Sequence, residues 1–324
     1  MVEAGARIVV AGAGIAGITC ARALSEAGHR VVVHDTGRRP GGRLALRRYG
    51  EGNAERVVDI GGSYFTTSDP AFAAVAADWE ARGLAHPWTD TFTAIGGEKQ
   101  GARTGPVRWS APGGLRSLVA DHAAGLDVRQ SSPVASVRVD DGRPVVDGEV
   151  VDAVVLAMPD PQARRLLPED HWAHAALDDP YLPSLALTAG WAERTWPDEH
   201  GWFVNEHPDI DWIADDGSRR GDGAPVLVAH ATAERARQHL AEPASAAEAM
   251  IAAVRDVLPV PQAEPSLVHV QRWTFARPAN TREERHALGD DLVGLCGDSW
   301  GPRSSVEQAF LSGRSLAAAL LERL

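Results

Sequence analysis

Hydrophobic residues first gather at Ile8 to Ala11, a short unbroken run that predicts a buried strand. From Ile15 to Ala27 they return at helical spacing, with Gly28 as the stop. Val31 to Val33 is a second strand, closed by Asp35. A third runs from Val57 into Gly61-Gly62. Between Ala111 and Pro159 the pattern predicts a helix, short alternating strands with a tight Asp141-Gly142 turn, and a buried strand at Val154 to Ala157. "SLALTAGWA", "APVLVAHAT" and "SLVHVQRWTFA" read as further strands. "ERARQHLAEPASAAEAMIAAVRDVLP" reads as two helices broken at Pro243, with Ser245 as a cap. The chain closes with a strand in "DDLVGLCGD" and a helix from about Ser305 to Arg323. "IGGEKQGARTGP" and "DDGSRRGDGAP", rich in turn formers, read as exposed loops.

Composition narrows the classes. The 324 residues suffice for two domains, and the net charge of -12 argues against a nucleic-acid partner, which would need clustered cations. No window reaches the roughly 18 unbroken apolar residues of a membrane span. The N-terminus reads as a first strand rather than a signal peptide. Cys20 and Cys296 are isolated in sequence, which suits a reducing compartment, so a cytoplasmic location is expected. Neither HExxH nor a His/Cys cluster is present to suggest a metal, and no GxSxG elbow suggests a hydrolase.

The first strand, turn, helix and second strand contain Gly12-x-Gly14-x-x-Gly17. Gly12 permits the tight turn, Gly14 lets a diphosphate approach the main chain, and Gly17 lets helix and strand pack closely. The helix start supplies amides and the positive end of its dipole. Asp35 can accept from both hydroxyls of an adenosine ribose and would repel a 2′-phosphate. This is a dinucleotide cradle in the context the motif requires.

A plain nicotinamide site leaves three other segments without a role. Gly41-Gly42 lies directly before Arg43, a permanent cation. "VVDIGGSYFTTSDPAF" repeats the theme, with Gly61-Gly62 allowing close approach of something flat before Ser63 and Tyr64. Near the C-terminus, Gly297-Asp298 precedes a helix that would aim its positive end at the same ligand. Three dispersed elements converging on one long cofactor point to FAD.

"GAGIAG…VVHDTGRRPGGRLA", "VDIGGSYFT", "VVLAMPDPQA", "VLVAHATAE", "QRWTFARP" and "GLCGDSWG…VEQAFLSGRSLA" occur in the order seen in renalase-like FAD-dependent oxidoreductases. The chain resembles that group, within the wider flavin amine oxidases, along essentially its whole length. The resemblance implies an α/β fold: a Rossmann-like FAD-binding domain of the glutathione-reductase/amine-oxidase type, with a second α+β substrate domain. The FAD domain would comprise residues 1–75, 111–159 and 290–324, and the substrate domain 76–110 and 160–289. It further implies that the main chain of Gly12, Ala13, Gly14, Ile15, Ala16 and Gly17 holds the diphosphate. Asp35, with Thr36 beside it, would take the ribose, and Gly42 and Arg43 would face the phosphates. Val134 would touch adenine through its backbone. Gly61, Gly62, Ser63 and Tyr64 would lie along the flavin. Asp298 would accept from the ribityl chain, and the amides of Ser305, Val306 and Glu307 would face the pyrimidine edge and stabilise the reduced ring.

Period-two spacing puts His269, Gln271, Trp273 and Phe275 on one strand face. Trp273 is either core packing or, as the resemblance implies, a wall of the pocket above the flavin. His230 is either a strand histidine satisfied by hydrogen bonds or a substrate contact, and Trp300 could cap one end of the pocket. Tyr64, His230, Trp273 and Trp300 are therefore the candidate catalytic residues. Many amine-oxidising relatives use a lysine that holds water near the flavin. Lys99, in a glycine-rich loop, is the one lysine here, and arginine is a poor substitute because it does not shed its proton. No cysteine is placed for covalent attachment, so FAD would be non-covalent. The renalase resemblance implies donors that are 1,2- and 1,6-dihydro-NAD(P), oxidised to NAD(P)+ by hydride transfer to the flavin, with dioxygen giving hydrogen peroxide. Two alternatives stay open: an amine or other small-metabolite flavin oxidase or dehydrogenase, and a low-turnover FAD-binding redox sensor or scaffold.

Overall fold

The computed structural model describes residues 5–50, 55–98 and 100–324; Lys99 lies outside the described residues. The chain forms two compact units, one of 1–43, 116–181 and 277–324, the other of 44–115 and 182–276. Residues 44–75, expected with the nucleotide-binding part, cluster with the second unit instead.

In the first unit a six-stranded sheet runs in the order Ala287–Leu288, Val293–Leu295, Ala153–Leu156, Arg7–Ala11, Arg30–His34, Asp127–Arg129. The inner pairs are parallel, with Val10 opposite Val33 on one side and Val155 on the other. That arrangement explains the unbroken apolar runs, because a parallel strand covered on both faces has no water-facing position to mark. Ala153–Leu156 and Val293–Leu295 are buried throughout. Helix Ile15–Glu26 packs on the C-terminal helix Val306–Leu321 through Gly313, where an added Cβ would stand 2.0 Å from the Ala16 carbonyl oxygen. A small antiparallel sheet carries the Asp141-Gly142 turn, both residues at positive φ, as its spacing predicts.

The second unit is built on a seven-stranded sheet ordered Leu267–Pro278, Tyr181–Gly190, Val226–Ala231, Ile210–Asp215, Gly201–Val204, His86–Ile95, Gly101–Ser110. One face packs Leu227, Ala229 and Ile213 against Met250, Ile251 and Val254 of helix Ala247–Val257. The other face carries Val226, Val228, Trp212 and Ala214. The strand pair Leu46–Tyr49 and Arg56–Asp59 supplies Ala45, Val58 and Ile60 to a cluster with Val226 and Val228.

Three local expectations need correction. The second half of "IGGEKQGARTGP" is exposed but is not a loop: it lies in strand Gly101–Ser110, which pairs antiparallel with His86–Ile95. "DDGSRRGDGAP" is not an exposed loop: Asp216–Arg220 is a short helix capped by Asp215, and Asp215, Asp216 and Arg219 are fully buried. Partners brought from elsewhere in the unit make that burial possible. Ser245 does not cap the following helix; its hydroxyl donates to the Glu242 carbonyl, and Thr232 caps the preceding one.

Candidate functional site

The glycine turn of the first unit separates its three jobs sterically. A Cβ on Gly12 would meet the Ala157 carbonyl oxygen at 2.4 Å, and one on Gly17 would meet the Gly12 carbonyl oxygen at 2.0 Å. A Cβ on Gly14 would meet nothing within 4 Å. Of the three, only the glycine that a diphosphate must approach faces free space, so the cradle fits a dinucleotide. Ala13, Ile15, Ala16 and Gly17 are buried around it.

Asp35 is fixed by main-chain donors: the Ala13 amide donates to one oxygen at 2.6 Å and the Gly37 amide to the other at 2.5 Å. Thr36 beside it is exposed. The segment before Val134 is tied to the same place, since the Ser132 amide donates to the Asp35 carbonyl. Val134 itself is buried among Val9, Ala11 and Leu156.

The second glycine pair returns to the first turn. The Gly41 amide donates to the Ala13 carbonyl at 2.8 Å. Gly42, at φ +52°, would place a Cβ 3.5 Å from the Gly14 Cα. Arg43 then meets Asp298 end-on, with Nη1 to Oδ2 at 2.9 Å and Nη2 to Oδ1 at 2.6 Å. Ser304 donates to Asp298 as well, at 2.7 Å. Burial alone would lower the Arg43 pKa, but Asp298 and the neighbouring Tyr181 outweigh it and hold it above the ordinary value. Burial and the nearby Asp298 charge push the Tyr181 hydroxyl up, so it stays protonated.

At the C-terminal helix, Ser305 accepts from the Gln308 amide at 3.1 Å, and Val306 opens the first turn. Glu307 is buried and paired with Arg303. Trp300 packs into the first unit's core, with the Arg282 guanidinium 4.3 Å above its ring, and Arg282 in turn pairs with buried Asp160. Both thiols are buried; burial pushes Cys296 up to about 12, which keeps it protonated and a poor nucleophile.

The second unit holds Gly61 to Tyr64. The carbonyls and hydroxyl of this segment are bound from several directions. The Trp273 indole donates to the Ile60 carbonyl at 2.6 Å, Arg219 donates to the Ser63 carbonyl at 3.1 Å, and the Trp212 indole donates to the Ser63 hydroxyl at 3.0 Å. Beneath lies a buried ionic cluster: Arg219 and Arg56 each donate to Asp216 at 2.6 Å, and Arg220 to Asp59 at 2.6 Å. Burial works against ionised Asp216, but Arg219, Arg220 and Arg56 outweigh it and hold its pKa below the usual carboxylate range.

Tyr64 sits with Phe92 at 5.2 Å and Trp212 at 5.9 Å between ring centroids. Burial pushes its hydroxyl up against the pull of Arg108, leaving it neutral at physiological pH. His230 is the cross-strand partner of Trp212, so the two share the sheet face that carries Val226 and Val228. Trp273 packs on that cluster too, beside Ile60, as a side chain that secures the strand leading to Gly61-Gly62. Tyr64, His230 and Trp273 thus belong to the second unit and Trp300 to the first.

Trp212, Arg108 and Arg219 of the second unit stand around Ser63 and Tyr64, and Tyr181 of the first stands beside Arg43, all without a motif to mark them in the sequence. For Arg219 a signal existed: Asp216 precedes two arginines at spacings three and four, which places opposite charges on one helix face.

The family model of flavin-containing amine oxidoreductases matches residues 65–321, and that of NAD(P)-binding Rossmann-like domains matches 10–79. A stretch of 60 residues is 45% identical to lysine-specific histone demethylase 1 homolog 1 of Arabidopsis thaliana, spanning 18% of this chain and 7% of that protein. Another of 55 residues is 44% identical to the flavin-dependent L-tryptophan oxidase RebO of Lentzea aerocolonigenes, spanning 17% and 12%. A double mutant of putrescine oxidase superposes with a TM-score of 0.73 at 16% identity, covering 98% of this chain and 99% of that one. The cofactor is FAD, which the nucleotide cradle fits, and the chain belongs to the flavin-containing amine oxidoreductase family.

Proposed function

We propose that the protein is an FAD-dependent oxidase of a small, flat donor, of which isomeric 1,2- and 1,6-dihydro-NAD(P) are the first candidates, with FAD held non-covalently. Bound FAD supplies a two-electron acceptor that takes hydride from the donor and passes the electrons to dioxygen, giving hydrogen peroxide. The observation that carries the reading is Tyr64, a half-buried ring backed by the buried aromatic pair Phe92 and Trp212, which can present an aromatic surface to a dihydropyridine. Neutral Tyr64 can donate a hydrogen bond to such a donor. His230 borders the same face through Trp212. A dihydropyridine loses hydride and becomes aromatic without losing a proton, so these side chains need only bind, orient and exclude water.

The second reading is an amine donor, favoured by the family's own description. It requires a group that takes up the amine's proton, and His230 is the candidate on the aromatic face. Rapid mixing of the oxidised holoenzyme with each dihydronicotinamide isomer, with ordinary NADH and with a panel of amines separates the two. Bleaching of the flavin by either isomer faster than by NADH is the expected result. Bleaching by an amine alone would replace the first reading with the second.

A further inference from the structure

We propose that Arg108 anchors an anionic group, a carboxylate or a phosphate, on the electron donor. The inference rests on the flavin-oxidase reading above, in which Tyr64 lies at the ligand, and it adds the donor's charge.

Strand Gly101–Ser110 is exposed from Gly101 to Val107, and then a charged residue turns inward: Arg108 is 8% exposed. Its guanidinium lies 4.4 Å above the Phe92 ring, and Nη1 donates to the Asp90 carbonyl. Tyr64 packs on the same Phe92 ring, 5.2 Å between centroids, and the Arg108 charge pulls on its hydroxyl against the effect of burial. Other deeply buried arginines in the unit have carboxylates: Arg219 has Asp216, and Arg220 has Asp59. Among the described residues Arg108 has no carboxylate at ion-pair distance; the Phe92 ring face, the Asp90 carbonyl and the Gly105 backbone of its own strand lie against it. A buried cation gains when an anion joins it, because a ring face and a carbonyl offset its charge less completely than a carboxylate does. A guanidinium has five donors in a planar fork suited to a carboxylate or phosphate. Arg108 therefore completes its coordination when a ligand brings negative charge to the aromatic group. The same cation opposes a doubly charged aliphatic diamine.

The test uses the FAD-loaded protein at physiological salt, with benzoate and inorganic phosphate as probes, titrated by calorimetry. At least one anion binds saturably to the wild type. Arg108→Gln weakens that binding tenfold or more at unchanged FAD content, and Arg108→Lys, which keeps the charge but not the fork, falls between. Benzoate alone assigns a carboxylate; phosphate alone assigns a phosphate. Failure of both to bind the wild type, or equal binding by Arg108→Gln, overturns the proposal. Should Arg108→Gln not fold, the wild-type titration and Arg108→Lys still decide it. Loss of FAD or failure of every dihydronicotinamide would instead sink the oxidase reading, so the two failures are distinct.

Discussion

Arg43 and Asp298, 255 residues apart in sequence, meet in a two-pronged ion pair whose arms are 2.9 and 2.6 Å. The pair links the end of the second glycine turn to the segment that opens the C-terminal helix, both of which the sequence points towards one cofactor. Its side chains are only partly buried, 30% and 12% exposed, so its worth lies in geometry more than in Coulomb energy. Paired in this way, Arg43 is held beside Gly42 and the cradle while Asp298 keeps Ser304 as a further donor.

Arg43→Ala should therefore loosen FAD and leave the fold intact. A loss of about tenfold in affinity, about 1.4 kcal/mol, is expected from one charge-assisted contact. Asp298→Asn should show part of the same loss, because it removes the charge that holds Arg43 in place. Equilibrium dialysis of FAD against the two variants and their double mutant measures the coupling. Full flavin occupancy in purified Arg43→Ala would remove the residue from the cofactor site.

Much of the cradle is legible in the sequence because its parts are neighbours there. Strand, glycine spacing, helix and Asp35 fall within one short segment, and the observed contacts of Gly12, Gly17 and Asp35 agree with that spacing. The buried parallel strands are legible for the same reason, as unbroken apolar runs. The ionic cluster is not. "DDGSRRGDGAP" has the composition of a solvated loop, and it is buried because Asp59, 161 residues from Arg220, arrives to neutralise it. Trp273 shows a different limit. Its alternation fixes the strand face, but only the fold reveals that its indole reaches the Ile60 carbonyl.

The glycines of the first turn should separate stability from affinity. Gly17→Ala drives a methyl into the Gly12 carbonyl oxygen and should cost at least about 2 kcal/mol by overpacking. Gly14→Ala adds a methyl to free space and should leave stability within about 0.5 kcal/mol, while weakening FAD by obstructing the diphosphate. Urea unfolding of the apoproteins and FAD titration give the two quantities independently. Equal destabilisation by both substitutions would contradict the division of roles.

Arg219 secures both a helix and the loop before Tyr64. Arg219→Met keeps much of the volume but leaves Asp216 short of its strongest partner and the Ser63 carbonyl without a donor. The expected loss is about 3–5 kcal/mol, the scale for breaking a buried pair from one side. Arg219→Lys should recover part of it through the charge. A change under about 1 kcal/mol in Arg219→Met, read from urea midpoints at constant slope, would show that Arg56 and Arg220 suffice.

His122 gives the first unit an acid-sensitive element. Burial and the adjacent Arg22 lower its pKa from 6.5 to about 4, against the weaker pull of Asp121 and Glu26. The folded pKa thus lies below the unfolded one. Between pH 6.5 and 4 the unfolded chain takes up a proton that the folded chain refuses, so stability falls as pH falls through this window. Above 6.5 the residue is neutral in both states and the penalty is absent. The depression from 6.5 to about 4 corresponds to roughly 3–3.5 kcal/mol. His122→Gln keeps a polar group beside the Thr19 hydroxyl, which the histidine Nε2 now meets at 3.3 Å, and carries no titration. Carboxylates titrate alike in both proteins, so the difference between their stability curves isolates His122. That difference should grow as pH drops from 6.5 to 4 and level off below; parallel curves across the window would mean that the imidazole titrates as it does in the unfolded chain.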